Sequence, residues 1–293
     1  FVLSLSLVMI VIMQGILHGW SVQAIDDAQR WEIGEGQYWC NNYDPWDPFS
    51  LDSGTATIPR QFDAQILQKQ VEPILITQAT VYPDGRMQGV MLRGIRPQQN
   101  LLEIPTEKLQ GDSGGPVPVV LGAYMARQLK VKLNDEMILR WRDKNGAFEA
   151  VDIRVAQIFK SSVPTIDNGV IWIALDRLQE MALRPGEANL LVKAKDVPVV
   201  EADGWKFQSV EKLMEATLLL VKTKSMGTSV FYIIFLLLAM LAIFDTQTLA
   251  IFRRQRESGT MVAMGMTPRQ VVWHFTLEGS MYALLAIVVG AVW

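Results

Sequence analysis

The sequence predicts an α+β extracytoplasmic domain inserted between transmembrane α-helices, and three observations predict it. Long apolar runs stand near both ends of the chain, at Phe1–Leu17, at Ser229–Phe252 and from Phe275 onward. Between the first two lies a stretch of ordinary globular composition in which strand-like and helix-like patterns alternate. The 293 residues are 50% hydrophobic and their mean hydropathy is slightly positive. That balance is too apolar for a soluble enzyme and too polar for a bundle of membrane helices alone.

The first run, FVLSLSLVMIVIMQGIL, carries no charge. A secretory signal peptide would show a shorter apolar run, a basic start and a small-residue cleavage site, and none is visible. The run therefore reads as transmembrane helix 1, residues 1–19, with its start preceding the sequence. The second run, SVFYIIFLLLAMLAIFDTQTLAIF, is long enough to cross ~30 Å of hydrocarbon as a helix; it defines transmembrane helix 2, residues 228–252. Arg253, Arg254 and Arg256 follow at once. A basic cluster at a span end marks the cytoplasmic side, so these arginines form a cytoplasmic basic anchor. The domain at 20–227 is then extracytoplasmic, 253–274 is a short cytoplasmic loop, and 275–293 is transmembrane helix 3, cut short by the chain end. Asp245 lies inside the second run, close enough to its cytoplasmic end to reach water or a nearby arginine. Glu278 is expected at the interface near the start of the third span.

Within 20–227, SVQAIDDAQRWEIGEGQYW reads as the first helix continuing outward and then a strand. NNYDPWDPFSLDSG is a loop, rich in Pro, Asp and Asn. QVEPILITQATVYPDGRMQGVMLRGI gives strands broken at Pro83-Asp84-Gly85. Ala123, Ala126 and Leu129 have helical spacing. EMILRWRDKNGAFEAVDIRVAQIF is two strands around Lys144-Asn145-Gly146. VIWIALDRLQEMAL is a strand entering a helix, with Asp176 as its N-cap. EANLLVKAKD is another strand, and VEKLMEATLLLVKTKSMG a helix that leads into the second span.

Several functions are excluded by composition. A net charge of −3 gives no electrostatic case for nucleic acid. One cysteine, Cys40, allows no internal disulfide and no cysteine metal cluster, and reads as a packing residue. Two histidines, His18 and His274, leave little for a metal site. No Gly-x-x-x-x-Gly-Lys-[Ser/Thr] occurs, so the chain has no phosphate-binding loop of its own.

The stretch Gly111–Pro116, GDSGGP, spells the active-site signature of trypsin-like serine proteases, with Ser113 at the nucleophile position. A triad needs a histidine and an aspartate within hydrogen-bond reach of that serine. His18 sits at the end of the first span, and His274 lies beyond the basic anchor on the other side of the membrane. The serine has no base, and no catalytic residue is expected. The segment reads instead as a turn in which Gly111, Gly114 and Gly115 permit positive φ before the strand that Pro116 begins.

IFRRQRESGTMVAMGMTPRQVVWHFTLEGSMYALLA, from Ile251 to Ala286, resembles the cytoplasmic loop of FtsX-like ABC transporter permeases. The matching positions are Arg256, Glu257, Gly259, Ala263, Gly265, Arg269, Glu278 and Gly279. GVMLRGIRPQQN and VVLGAYMARQLKVKLNDEMIL resemble parts of a MacB-type periplasmic core domain, with Asn134 where glycine is usual. The resemblance covers nearly the whole chain. Ser258, in place of an aliphatic residue, and Val262, in place of a basic one, depart from the pattern and bear on partner contact.

The resemblance implies the permease subunit of an ABC transporter with four spans, of which about three are present. It implies a cytoplasmic coupling helix from Glu257 to Met264, with Glu257, Gly259, Thr260, Met261, Ala263, Met264 and Gly265 as the residues that contact an ATPase. ATP and magnesium would then be held by that separate, dimeric ATPase subunit and not by this chain. Further implied partners are a second permease copy or a related permease, membrane lipids, and a periplasmic adaptor or lipoprotein carrier, with no nucleic acid. The implied setting is the bacterial cytoplasmic (inner) membrane with the large domain in the periplasm. The implied task is lipoprotein release or export of a small molecule or peptide. The alternative is a membrane-anchored regulator or scaffold that passes ATPase motion to an extracytoplasmic enzyme.

Overall fold

The computed structural model describes residues 2–111 and 115–291. The chain forms two compact units, one comprising Gln23–Glu215 and the other Phe1–Val22 with Ala216–Trp293.

The Gln23–Glu215 unit opens with the end of helix α1 (Val2–Ala28), which passes into a single π-helical turn, Gln29–Ile33. Gly34 stops it at φ 62°, where a Cβ would lie 2.5 Å from Val192 Cγ1, so only glycine fits both the turn and the close approach. Then follow β1 (Gln37–Cys40), α2 (Ser50–Ser53), β2 (Ala56–Thr57), α3 (Asp63–Leu67), β3 (Val71–Tyr82), β4 (Gln88–Ile95), β5 (Val117–Gly122) and α4 (Ala123–Leu129). The rest is β6 (Glu136–Arg142), β7 (Phe148–Phe159), α5 (Pro164–Asp167), β8 (Val170–Ala174), α6 (Leu175–Met181), β9 (Glu187–Ala188), β10 (Leu190–Lys193), β11 (Trp205–Gln208) and α7 (Val210–Leu213).

Among the described residues, nine strands join in the order β11-β1-β10-β3-β4-β8-β5-β7-β6. A second edge of β3 then closes the circuit, because Ala79–Tyr82 pair with Trp141–Ile138 of β6. The result is a small barrel from β3 to β6, with β10, β1 and β11 as an extension. The long β3 makes this possible: its first residues pair with β10 and its last with β6. Leu75, Val81, Leu92, Val119, Leu139, Ile153 and Ile171 fill the barrel interior, which α4 and α6 cap through Met125, Leu129 and Leu178. β6 shows the alternation most plainly: Met137, Leu139 and Trp141 are buried while Glu136, Arg140 and Arg142 face water. On the opposite side of the sheet, Ile74, Ile76, Ile95, Phe159 and Trp172 form a second core. Each such fully buried side chain contributes roughly 1.5–3 kcal/mol. Cys40 is buried in a third cluster with Tyr38, Phe62 and Trp205.

Glu72 is, among the described residues, the most buried carboxylate of this unit, 1% exposed, and Arg96 grips it at 2.6 and 3.0 Å. Burial pushes the Glu72 carboxyl above its usual range, against the opposing pull of Arg96.

Three local expectations need correction. Asp176 is not the N-cap of α6: that position is Ala174, and Asp176 lies in the first turn, where its Oδ1 accepts from the Arg177 N–H. Acid in the first turn suits the helix dipole just as well, which is why the sequence pattern misleads. EANLLVKAKD is two strands, β9 and β10, because Asn189 between them turns its side chain inward to bond other segments. Gly111 does not use the positive φ that glycine permits. Gly111 is small for another reason: a Cβ there would meet the Pro118 ring at 2.7 Å. Ser113 and Gly114 lie outside the described residues.

The other unit contains the first part of α1 and three further helices, α8 (Glu215–Arg253), α9 (Gln255–Ala263) and α10 (Pro268–Ala291). Three stretches, Ser4–Ile33, Val230–Arg253 and Pro268–Ala291, are long and apolar enough to cross a membrane. The first and third helices are longer than the runs 1–19 and 275–293, since polar residues at Gln23–Ala28 and Pro268–His274 continue the same helices. Gly290 of α10 lies against Ser4, Leu7 and Val8 of α1, close enough that a Cβ would sit 3.1 Å from Leu7 Cδ2.

Candidate functional site

Of the residues expected to contact a partner, Glu257, Gly259, Thr260, Met261 and Ala263 fall on α9, while Met264 and Gly265 end it; the chain fixes the helix at both ends. At its start, Arg254 reaches α10: its Nη1 lies 3.1 and 3.3 Å from the two carboxylate oxygens of Glu278, and its Nε 3.9 Å from Glu257. At its end, Gly265 takes φ 101° and the Gly265 and Met266 N–H groups bond the Val262 and Met261 carbonyls. That is the Schellman termination, which glycine permits at least cost. The next helix starts at Pro268. Thr267 precedes Pro268 in the first helical position, and Gln270 Oε1 accepts from the Thr267 N–H at 2.8 Å and from its hydroxyl at 3.0 Å. A side chain three residues in, reaching back to the N-cap, is a capping box, and proline is favoured just after it.

Between these fixed ends α9 has no buried residue. Val262 and Met264 are 48% and 74% exposed. A Cβ on Gly259 would meet nothing within 4 Å. Glu257, Thr260 and Ala263 are exposed, and Met261 is half-buried. Arg253 and Arg256 are exposed and, among the described residues, form no ion pair.

Glu278 and Gly279 have separate tasks. Glu278 holds Arg254, whereas Gly279 lets α8 approach, since a Cβ there would lie 3.1 Å from Gln247 Nε2. The Gln247 amide nitrogen is buried without a partner among the described residues. The nearby arginine thus goes to Glu278 and Glu257, and Asp245 stays exposed on α8. His18 is on α1, with its carbonyl accepting from the Ser21 hydroxyl at 2.8 Å, and His274 is on α10 beside Phe275. No cluster of metal-ligating side chains occurs among the described residues.

A second polar constellation lies where α1 ends, and it was missed in the sequence. Asp27 Oδ2 accepts from the Ser162 hydroxyl at 2.6 Å. Arg30 lies 3.6 Å from Glu103, whose N–H in turn donates to the Arg30 carbonyl at 3.0 Å. Glu32 takes Arg93 on one oxygen, at 3.2 Å, and the Thr165 hydroxyl on the other. Trp31 stacks on Phe159 with centroids 5.6 Å apart. Nearby, burial pushes the Tyr43 phenol above its usual range, with Arg93 opposing. The turn carrying these groups is π-helical, and such turns concentrate at functional positions. The signal in the sequence was the alternation of charge in Asp26-Asp27-Ala28-Gln29-Arg30-Trp31-Glu32, too polar for a span and too short for a separate helix.

Residues 229–293 match the family described as FtsX-like permease C-terminal. The segment that holds α9 and α10 is thus similar to the C-terminal part of FtsX-like permeases. Among solved structures, the chain is similar to the extracellular domain of the noncanonic ABC-type transporter YknZ from Gram-positive bacteria. That similarity has 13% identity over 55% of this chain and 83% of that one, with a TM-score of 0.33. A score that low does not establish a common fold. No curated protein sequence matches the chain.

Proposed function

We propose that this chain is the membrane subunit of an ABC transporter and that α9 is the element through which a separate ATPase subunit moves it. The match of residues 229–293 to the FtsX-like permease C-terminal family carries the reading. An exposed α9 with both ends fixed supports it. In this reading the arginines after α8 face the cytoplasm, and the Gln23–Glu215 unit lies on the other side of a bacterial inner membrane. ATP and magnesium are bound by the partner's dimer. Met261, Val262 and Met264 offer it adaptable apolar contact, and Glu257 offers charge. Closure of the ATPase dimer shifts α9, and α8 and α1 carry the shift as rigid elements. The cargo is a lipoprotein, a peptide or a small molecule, and a second permease copy or a related chain completes the assembly.

Gly259 makes a clean test. Its Cβ position is open, so Gly259→Ala should leave the fold intact and firm α9 by roughly 0.5–1 kcal/mol. Gly259→Trp adds bulk only where a partner would lie. The tagged full chain is purified from membranes and the co-purifying proteins are identified. An ATPase with a phosphate-binding loop should accompany the wild type and Gly259→Ala, and be lost with Gly259→Trp. A correctly inserted wild-type chain that brings no ATPase refutes the reading. An ATPase that stays with a cell-wall enzyme and supports no transport moves the chain to the anchored-regulator class.

A further inference from the structure

Within the Gln23–Glu215 unit, a shallow cavity of about 780 Å³, largely open to solvent, lies beside α4. Cavities of about 300–1,000 Å³ hold drug-sized ligands. Its apolar wall comes from Ala126 of α4, Val131 and Leu133 of the following turn, and Ile158 of β7. The turn exists because Lys130 ends α4 in the left-handed conformation, φ 60° and ψ 36°, which folds the next residues back along the helix. The Val131 N–H then bonds the Ala126 carbonyl at 3.0 Å.

The same cavity is ringed by Arg127, Lys130, Lys132 and Lys160. Asp167 is the lining carboxylate, 8% exposed, with Oδ1 engaged by the Tyr124 N–H at 2.8 Å. Four cations against one carboxylate leave +3 around the cavity, in a chain whose formal net charge is −3. None of the four cations forms an ion pair among the described residues. The nearby Asp135 carboxylate accepts from the Lys132 backbone N–H at 2.7 Å, and Arg127 leans on its own helix, donating to the Ala123 carbonyl at 3.2 Å. Scattered exposed lysines are ordinary; four unpaired cations around one apolar cavity are matched by a ligand with an apolar body and an anionic head.

We propose that this cavity binds a single-chain anionic amphiphile. The hydrocarbon lies over Ala126, Val131, Leu133 and Ile158, and the carboxylate or phosphate head sits among Lys130, Lys132 and Lys160. The proposal does not depend on the ATPase reading, since every residue it uses lies in the Gln23–Glu215 unit.

The full chain is placed in phosphatidylcholine nanodiscs and irradiated with a diazirine-bearing palmitate, and the label is mapped by mass spectrometry. Label is expected on peptides covering residues 123–133 and 158–161. Unlabelled palmitate or lysophosphatidic acid should compete, hexadecanol should not, and which acid competes better identifies the head group. Lys132→Glu with Lys160→Glu should cut the labelling roughly tenfold, and Lys132→Arg with Lys160→Arg should keep it. Both positions are exposed, so circular dichroism should not change. Label confined to the membrane helices overturns the proposal. So does equal competition by hexadecanol, which marks a merely apolar pocket. Displacement by hexaglutamate but not by palmitate assigns the cavity to acidic peptides and overturns it as well.

Discussion

Replacing Glu32 by Gln tests whether the end of α1 is fastened to the β-strands around it. Glu32 and Arg93 are 3.2 Å apart, with side chains 23% and 16% exposed. A surface pair contributes about 0.2–1 kcal/mol, and breaking a fully buried one costs about 3–5 kcal/mol. This pair lies between, and a hydrogen bond to a charged group contributes about 1.5–3 kcal/mol. Glutamine keeps an oxygen for the Thr165 hydroxyl but removes the charge facing Arg93. Among the described residues Arg93 has little else to turn to: its Nε has no hydrogen-bond partner there, and its guanidinium lies over the Trp172 ring at 5.6 Å. A loss of that size makes local opening about ten- to hundredfold more frequent. The assay is hydrogen exchange by mass spectrometry on the full chain. Peptides covering residues 27–37 and 160–167 should exchange faster by that factor, while those in β6 and β7 should not change. Exchange within about twofold of wild type at residues 27–37 would refute the idea that this pair holds the helix end.

Gly122→Ala should prevent folding of the Gln23–Glu215 unit or cost on the order of 3 kcal/mol, because the new Cβ would lie 1.8 Å from Asp167 Oδ1 and 2.7 Å from its Cα; limited proteolysis of the full chain reads it. Asn189→Leu strands the Ile76 N–H, now 2.7 Å from Asn189 Oδ1, and the Gly54 carbonyl, now 2.9 Å from Nδ2. Each buried orphan costs about 1–3 kcal/mol, so the urea midpoint should fall clearly, and an unchanged midpoint would contradict the geometry. Burial raises the Glu187 carboxyl, but bonds from Lys144 and Thr55 and the charge of Arg184 outweigh it, leaving it below its ordinary 4.5. Its stabilising effect is present above pH 4.5 and disappears as pH falls through the lower folded value. Glu187→Gln should therefore shrink the stability difference between neutral and acid solution; an unchanged acid slope would show that Glu187 does not contribute.

The elements were legible where one residue pattern has one physical meaning. The strand-like runs of β3, β4, β6 and β7, cleanly alternating only in β6, and the turns at Pro83–Gly85 and Lys144–Gly146 lie where residue pattern and turn residues put them. Closure of the barrel was not legible, because the pairing of Ala79–Tyr82 with β6 depends on where β3 leaves β10, and nothing in its own residues encodes that. The helix starts were under-read for a different reason. Thr267-Pro268-Arg269-Gln270 states a capping box openly, yet hydropathy counts only the apolar run beyond it, so the third helix was begun several residues late. The polar ties of Asp27, Arg30 and Glu32 could not be paired from sequence, since their partners Ser162, Glu103, Arg93 and Thr165 come from distant strands and loops.

The energetics of α9 bear on what it is for. Nine residues are too few for a helix to persist in water by propensity alone. Ordinarily tertiary burial would make up the difference, but α9 buries no residue of its own. What holds it is concentrated at its ends: the Arg254–Glu278 contact at one and the Gly265 termination at the other, with the Thr267 capping box opening α10 just beyond. The half-exposed Arg254–Glu278 pair contributes about 0.2–1 kcal/mol, and such end contacts fix direction without covering a face. A helix stabilised only by packing would have to hide the surface it packs with. A helix stabilised at its ends keeps Val262 and Met264 in the open while its path between α8 and α10 stays set. In the proposed reading, exposed apolar side chains on a firmly aimed short rod would let a partner that pushes on α9 move the helices on either side of it. It is also why Gly259→Trp, which changes the face and leaves both ends alone, separates contact with a partner from folding of the helix itself.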